Sequence, residues 1–293
     1  MKNCPYCCGA PGIFYFKISS RTYNRCSECD LVYKESQDSY DKVVAHYRDD
    51  YFSRYSDDQM SGERYRLFDK VLDLIEKKRG AGRLLDIGAG CGGFMAAARK
   101  RGWKVKGIEP SMQSVEVAQG QYGLDIYNGA FQEYDENGKF DVITLINVLD
   151  HSVEPWKDIR KVYSLLKRGG ILYLRFPNGL LHSFLFKVSK KLDIEQKIAK
   201  FLVFHEYCFT PRFVRRLLFD HGFADIVIYN ASLSGGSLIH RFRRGLPQGS
   251  SFAPFHIFSF IIKSIEAVEK LTGLISGGRV FWGPSLEVIA RKK

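Results

Sequence analysis

The sequence predicts an α/β fold, a mostly parallel and doubly wound sheet, with a small cysteine-rich ribbon in front of it. Three observations carry that expectation. Short apolar runs at 84–87, 105–108, 124–127, 140–146 and 171–178 recur in βα order, which implies parallel strands with helices on both faces. The first run closes on Gly88, Gly90 and Gly92, a tight turn opening a helix. Finally, Cys4 and Cys7 are separated by 18 residues from a second CxxC pair, Cys26 and Cys29.

At 293 residues the chain has room for one such domain and appendages. Its 44 Lys and Arg against 32 Asp and Glu give a net charge of +12. That balance favours anionic partners, whether nucleotide-linked substrates, RNA or acidic lipid, without choosing among them. No apolar run is long enough to span a bilayer, and the N-terminus lacks the basic-then-apolar layout of a signal peptide. A cytoplasmic protein is the expectation, with peripheral contact at the inner face of the membrane left open.

Residues 1–35 read as a zinc ribbon. Each CxxC turn brings two thiolates to one metal, so Cys4, Cys7, Cys26 and Cys29 complete a closed tetrahedral shell of the structural kind. A strand over Ile13–Ile18 would carry the knuckles. Disulfides or free thiols are the alternatives, and a reducing cytoplasm argues against the first. Cys8 is expected to be a spectator.

Residues 36–80 are polar, aromatic and charged. Leu67, Val71, Leu74 and Ile75 lie at helical spacing within a helix over 64–78, which Gly80 and Gly82 stop. The core then occupies 81–293. Its helices are expected at 92–101, 112–122 and 156–166, the last ended by Lys167, Arg168, Gly169 and Gly170. A sixth strand is expected at 223–230 and an edge strand at 285–290. Thr210 and Pro211 form an N-cap and first-turn proline for a helix reaching Asp220. Two helical insertions are expected, near 179–203 and 235–282. Leu181, Phe184, Leu185 and Val188 make an apolar stripe on the first, read as a cap over the site with contact at a membrane surface as the alternative. The second carries Arg241, Arg243 and Arg244 and apolar positions from Phe255 to Leu271; burial and membrane contact both stay open for it.

Asp86 followed by Gly88, Gly90 and Gly92, and then Glu109-Pro110-Ser111 about 20 residues on, resembles the cofactor motifs of class I S-adenosylmethionine (SAM)-dependent methyltransferases. The resemblance implies a Rossmann-like core that binds SAM outside the carboxyl ends of the strands. It puts Asp86, Gly88, Ala89 and Gly90 around the methionine portion, and Glu109 at the ribose with Pro110 and Ser111 beside it. Ala130 and Phe131 fall at the adenine and Asn147 at the cleft floor. A nicotinamide-nucleotide site, or a glycine turn that binds nothing, is the alternative reading.

The run 147–155 is similar to the family's "LEH…P" segment, and Phe204-His205-Glu206-Tyr207 to its approach to the next helix. His151 and His205 are therefore the candidate catalytic residues, against the alternative that both are structural. A ribbon, a tyrosine-rich segment and this core together resemble a bacterial and archaeal architecture associated with sugar or small-molecule modification. By that resemblance the stretch from Tyr47 to Tyr65 covers the cofactor; a solvated helical linker with its tyrosines packed on the core is the alternative. The implied function is methyl transfer to a small molecule, such as a sugar, glycan or lipid-linked intermediate. An RNA methyltransferase using the ribbon and basic surface, and a non-catalytic scaffold, are the competing classes.

Overall fold

The structure, a computed structural model, describes residues 3–49, 52, 62–135, 138–193, 195–198, 202–231 and 281–293. At the N-terminus, β1 (Ile13–Ile18), β2 (Arg21–Arg25) and β3 (Val32–Lys34) form an antiparallel meander. Its fourth strand, β9 (Tyr207–Cys208), arrives from far along the chain and pairs with β3, Tyr33 opposite Tyr207.

The main sheet contains β4 (Arg83–Ile87), β5 (Lys104–Glu109), β6 (Ile126–Asn128), β7 (Phe140–Ile146), β8 (Leu166–Pro177), β10 (Phe223–Ala231) and β11 (Ser285–Lys292). Their order is β10-β11-β8-β7-β4-β5-β6, parallel from β8 to β6, with β11 running antiparallel to both of its neighbours. Helices are α1 (Tyr40–Asp49), α2 (Gly62–Glu76), α3 (Gly93–Lys100), α4 (Met112–Tyr122), α5 (Pro155–Leu165), α6 (Gly179–Lys191), α7 (Glu195–Ile198) and α8 (Pro211–Asp220).

Side-chain alternation along the strands sends neighbouring residues to opposite faces, and each face acquires its own core. Leu85, Leu145, Leu172 and Leu174 pack with Ile159 and Val162 of α5 and Phe213 and Leu217 of α8. Leu84, Val142 and Tyr173 pack with Leu67, Val71 and Ile75 of α2 and Phe94 of α3. Burying each such side chain contributes about 1.5–3 kcal/mol. The ribbon is continuous with the first core: Cys4, Cys26, Cys29 and Leu31 belong to it, and Tyr6 packs edge-on against Phe213 with ring centroids 5.3 Å apart.

Three expectations need correction. Leu166 is extended rather than helical, and β8 begins there instead of at 171; the stretch Lys167–Gly170 bulges out between the pairings of Leu166 and Ile171, with Gly169 at φ 71°, so these residues cap no helix. The strand at 285–292 is interior, between β8 and β10, because Leu286, Val288 and Ala290 are wholly buried and β10 takes the edge. On α6, Phe184, Leu185 and Val188 are exposed, while Leu181 and Phe186 face inward with His182 and Ser183. Of the expected cover, Tyr47 on α1 lines the cleft, and Tyr65 lies beside Gly93 with its hydroxyl 2.5 Å from that of Tyr122. Residues 50–51 and 53–61 of the expected cover, and 232–280 of the second insertion, lie outside the described residues. Among the described residues no helix is long and apolar enough to cross a membrane.

Candidate active site

Where β4 ends, the chain turns through Gly88, Gly90 and Gly92 at φ 74°, 53° and 77°, left-handed values that side chains other than glycine's rarely adopt. A Cβ on Gly88 would stand 2.4 Å from Val148 Cγ2, so the backbone here lies flush against the next loop. The Gly88 and Ala89 amides donate to the Ile108 carbonyl at 2.8 and 3.0 Å, which ties the turn to β5. Glu109 ends β5. Its Oε2 accepts from the Gly90 amide at 2.8 Å and its Oε1 from the Ser111 amide at 3.0 Å. Burial pushes this carboxyl's pKa up, against the pull of the two amides.

An open cleft runs along this crest at the carboxyl ends of β4, β5 and β7, beside the point where strand order reverses. Gly88, Gly90, Glu109, Pro110, Ala130, Phe131, Asn147 and His151 all line it. Asp86, Ala89 and Ser111 do not; they are buried and shape it from behind. The Thr144 hydroxyl donates to Asp86 at 2.6 Å, and burial, with Glu109 nearby, pushes Asp86 up to about 7. Ser111 caps α4, accepting from the Ser114 amide at 3.4 Å. The Lys161 ammonium sits 5.0 Å from the centroid of the Phe131 ring.

Of the roof, sequence reasoning reached only Tyr47. Tyr40, Val43, Val44 and Tyr47 of α1 line the cleft, and their three- and four-residue spacing is the helical stripe that signals such a face. Gln132 and Asp158 were also missed; Gln132 Nε2 donates to Asp158 at 2.7 Å, and burial raises that carboxyl to about 6.

The two candidate histidines converge from distant segments. His151 closes a 3₁₀ turn, Leu149–His151, after β7, and its ring centroid lies 3.8 Å from that of His205. Between them sits Asp150, 2% exposed, whose Oδ2 is 3.7 Å from His151 Nε2 and 3.5 Å from His205 Nε2. Burial pushes the Asp150 carboxyl up, with His151 and Arg175 pulling the other way. Tyr47 meets His151 edge-on at 5.6 Å. Asn147 holds φ 57°, fixed by its amide donating to the Arg175 carbonyl at 2.7 Å and by Arg175 Nη1 donating to its Oδ1 at 3.2 Å.

The ribbon holds the His205 loop. The Tyr23 hydroxyl donates to the His205 carbonyl at 2.9 Å, Arg21 to the Phe204 carbonyl at 3.0 Å, and Lys34 to Glu206 at 2.7 Å. Within the ribbon, Cys4 Sγ lies 3.6 Å from Cys29 Sγ and Cys7 Sγ 3.6 Å from Cys26 Sγ, with all four within 4.8 Å of one another. Zn–S bonds of about 2.3 Å in a tetrahedron set sulfurs about 3.8 Å apart, so donor set and spacing are compatible with one zinc ion. Cys8 is exposed and outside the cluster, and the cysteines form no disulfide.

A family model described as "Methyltransferase domain" matches residues 59–227. Among curated proteins, ubiquinone biosynthesis O-methyltransferase of Burkholderia orbicola (strain MC0-3) is 32% identical over 143 residues, 45% of this chain and 58% of that protein. The protein of the same name from Caulobacter vibrioides is 33% identical over 105 residues, 33% of this chain and 42% of the relative. The chain thus spans about half the length of the curated relatives it matches. Magnesium protoporphyrin IX methyltransferase from Synechocystis PCC 6803, solved with bound SAH, superposes with TM-score 0.56 at 16% identity, covering 87% of this chain and 100% of the other. A SAM-dependent methyltransferase from Archaeoglobus fulgidus gives TM-score 0.51 at 16% identity over 83% of this chain and 100% of its own. At such identities structural likeness speaks to fold alone, and that fold has the same mostly parallel sheet. With more than half of its length matched by the family model, this chain belongs to the methyltransferase domain family.

Proposed function

We propose that this protein transfers the methyl group of SAM to an oxygen of a small organic acceptor, and that its four-cysteine ribbon holds a structural zinc ion. One observation carries the reading: a cleft lined by Gly88, Gly90, Glu109, Ala130 and Phe131 runs along the crest where the parallel strands end. The residues present suit SAM. Glu109 is fixed by two amides and keeps lone pairs for ribose hydroxyls, Gly88 and Gly90 offer backbone to the methionine portion where they line the cleft, and Ala130 and Phe131 offer an apolar wall for adenine. Bound SAM supplies a methyl carbon already activated by its sulfonium, so orientation accounts for much of the rate gain.

The chain's own work is then to exclude water, orient the acceptor and relieve it of a proton. Tyr40, Val43 and Tyr47 roof the cleft, and His151 lines it with the His205 ring 3.8 Å from its own between centroids. An oxygen acceptor is supported by the names of the curated relatives and by the polar cluster of Asp150, His151 and His205, since a hydroxyl must lose its proton as the oxygen–carbon bond forms.

Calorimetry with SAH tests the cofactor half. The full chain is expected to bind, and Glu109→Ala to weaken binding at least about tenfold, the loss of charge-assisted hydrogen bonds worth about 1.5–3 kcal/mol. Equal affinity in the two proteins overturns the reading. Labelled SAM given with fractionated cell extract tests the acceptor: label in small organic molecules supports the proposal, and label in RNA refutes it.

A further inference from the structure

We infer that Asp150, His151 and His205 form a second metal site, built for a divalent first-row transition ion such as zinc or manganese and placed at the acceptor end of the cleft. Its acceptor role rests on the methyl-transfer reading above; the binding of the ion does not.

Geometry is the first argument. Two imidazole nitrogens and one carboxylate oxygen lie within 4.8 Å of one another, with the two Asp–His separations at 3.5 and 3.7 Å. Ligand bonds of about 2.0–2.2 Å in a tetrahedron put donor atoms about 3.4 Å apart. One ion reaches all three once the two imidazole rings, 3.8 Å apart between centroids, splay by about an ångström. A charge-assisted N–H···O bond wants about 2.7–2.9 Å, and both contacts are longer than that.

The second argument is independent. Asp150 is 2% exposed, and neither of its carboxylate oxygens accepts a hydrogen bond from another residue. A buried carboxylate left so costs several kcal/mol unless it is neutralised or paired with a cation. A metal ion accepts His151 and His205 as neutral ligands and answers the carboxylate's charge at the same time.

The ligands are also braced. His205 stands on the loop that Tyr23 and Lys34 of the ribbon hold, and the His151 amide donates to the Val148 carbonyl at 3.0 Å. Rigid support for each ligand, from different parts of the fold, is what a metal site requires. The donor set differs in kind from that of the ribbon. Four thiolates close their shell, whereas two histidines and one carboxylate leave positions open for water or a substrate oxygen. His151 lines the cleft, so those positions serve the acceptor. A hydroxyl bound there ionises more readily and gives its proton to solvent, and its oxygen is held facing the methyl donor. His151 and His205 then act as ligands instead of taking the proton themselves.

The test is metal stoichiometry in the full chain. Native mass spectrometry after zinc loading is expected to show about two ions per chain, falling to one in His205→Ala and in Asp150→Asn, the latter keeping the side chain's shape. In cobalt-loaded protein the intense thiolate charge-transfer absorption of the ribbon persists in both variants, which also reports that the ribbon still folds, while the weaker visible bands of the second site vanish. A single ion in the full chain, or a second ion that survives both substitutions, overturns the inference. Measuring SAH affinity on the same samples separates the two proposals: two ions without SAH binding strikes the cofactor reading alone, and SAH binding with one ion strikes the metal site alone.

Discussion

Asp86 shows what a motif residue does when the structure is in hand. Its place before the glycines assigns it to the cofactor, yet it lies behind the crest, bonded to the Thr144 hydroxyl and 3% exposed. Burial raises its pKa from 3.8 to about 7. Between those values the folded chain keeps a proton that the unfolded chain has lost, so stability falls as pH rises through that window and levels off above it. Asp86→Asn removes this contribution. Thermal melts at about pH 5 and about pH 8 are expected to show a smaller drop in Tm for the variant than for the wild type; the same drop in both would refute the assignment. The opposite case is Asp141, where the Arg83 amide and the Lys167 ammonium overcome burial and hold the carboxyl below its ordinary value. Nothing in the sequence separates these two aspartates, because the difference lies in which donors the fold brings to each.

At the scale of elements, the ribbon braces the His205 loop of the candidate site. Its sheet takes β9 as fourth strand, and β9 directly follows His205 and Glu206. A two-residue strand has no periodicity to read, so this pairing was invisible in the sequence, although the CxxC spacing that makes the ribbon was plain. Tyr23→Phe deletes the hydroxyl that donates to the His205 carbonyl and leaves the ring stacked on Phe16 at 4.8 Å. The expected cost is about 1 kcal/mol. If the loop positions His205, that loss appears mainly in methyl transfer, kcat falling about fivefold, while SAH affinity stays put. An unchanged kcat with lowered stability would make the contact structural only.

Across the whole molecule, stability and site geometry share one sheet. β11 comes from the end of the chain and slots between β8 and β10, pairing Leu286 with Phe176 and Asn230. Leu286 is wholly buried in the core that also holds Phe213 and the ribbon cysteines. Leu286→Ala is expected to cost about 2–5 kcal/mol through lost burial and the cavity left behind, measured by urea unfolding. A cost under about 1 kcal/mol would mean that the last strand is not integral to the sheet.

The residues by themselves determined the parallel strands, the glycine crest with Glu109 beside it and the two cysteine pairs. Each of these is written in short-range spacing, where backbone periodicity and turn sterics decide the outcome. Tertiary structure alone decided that Asp150 lies between His151 and His205, that α1 roofs the cleft, and that the final strand is interior. Those outcomes depend on contacts between residues tens to more than a hundred positions apart, and such contacts are fixed by how two cores and a ribbon pack together, which local pattern does not encode.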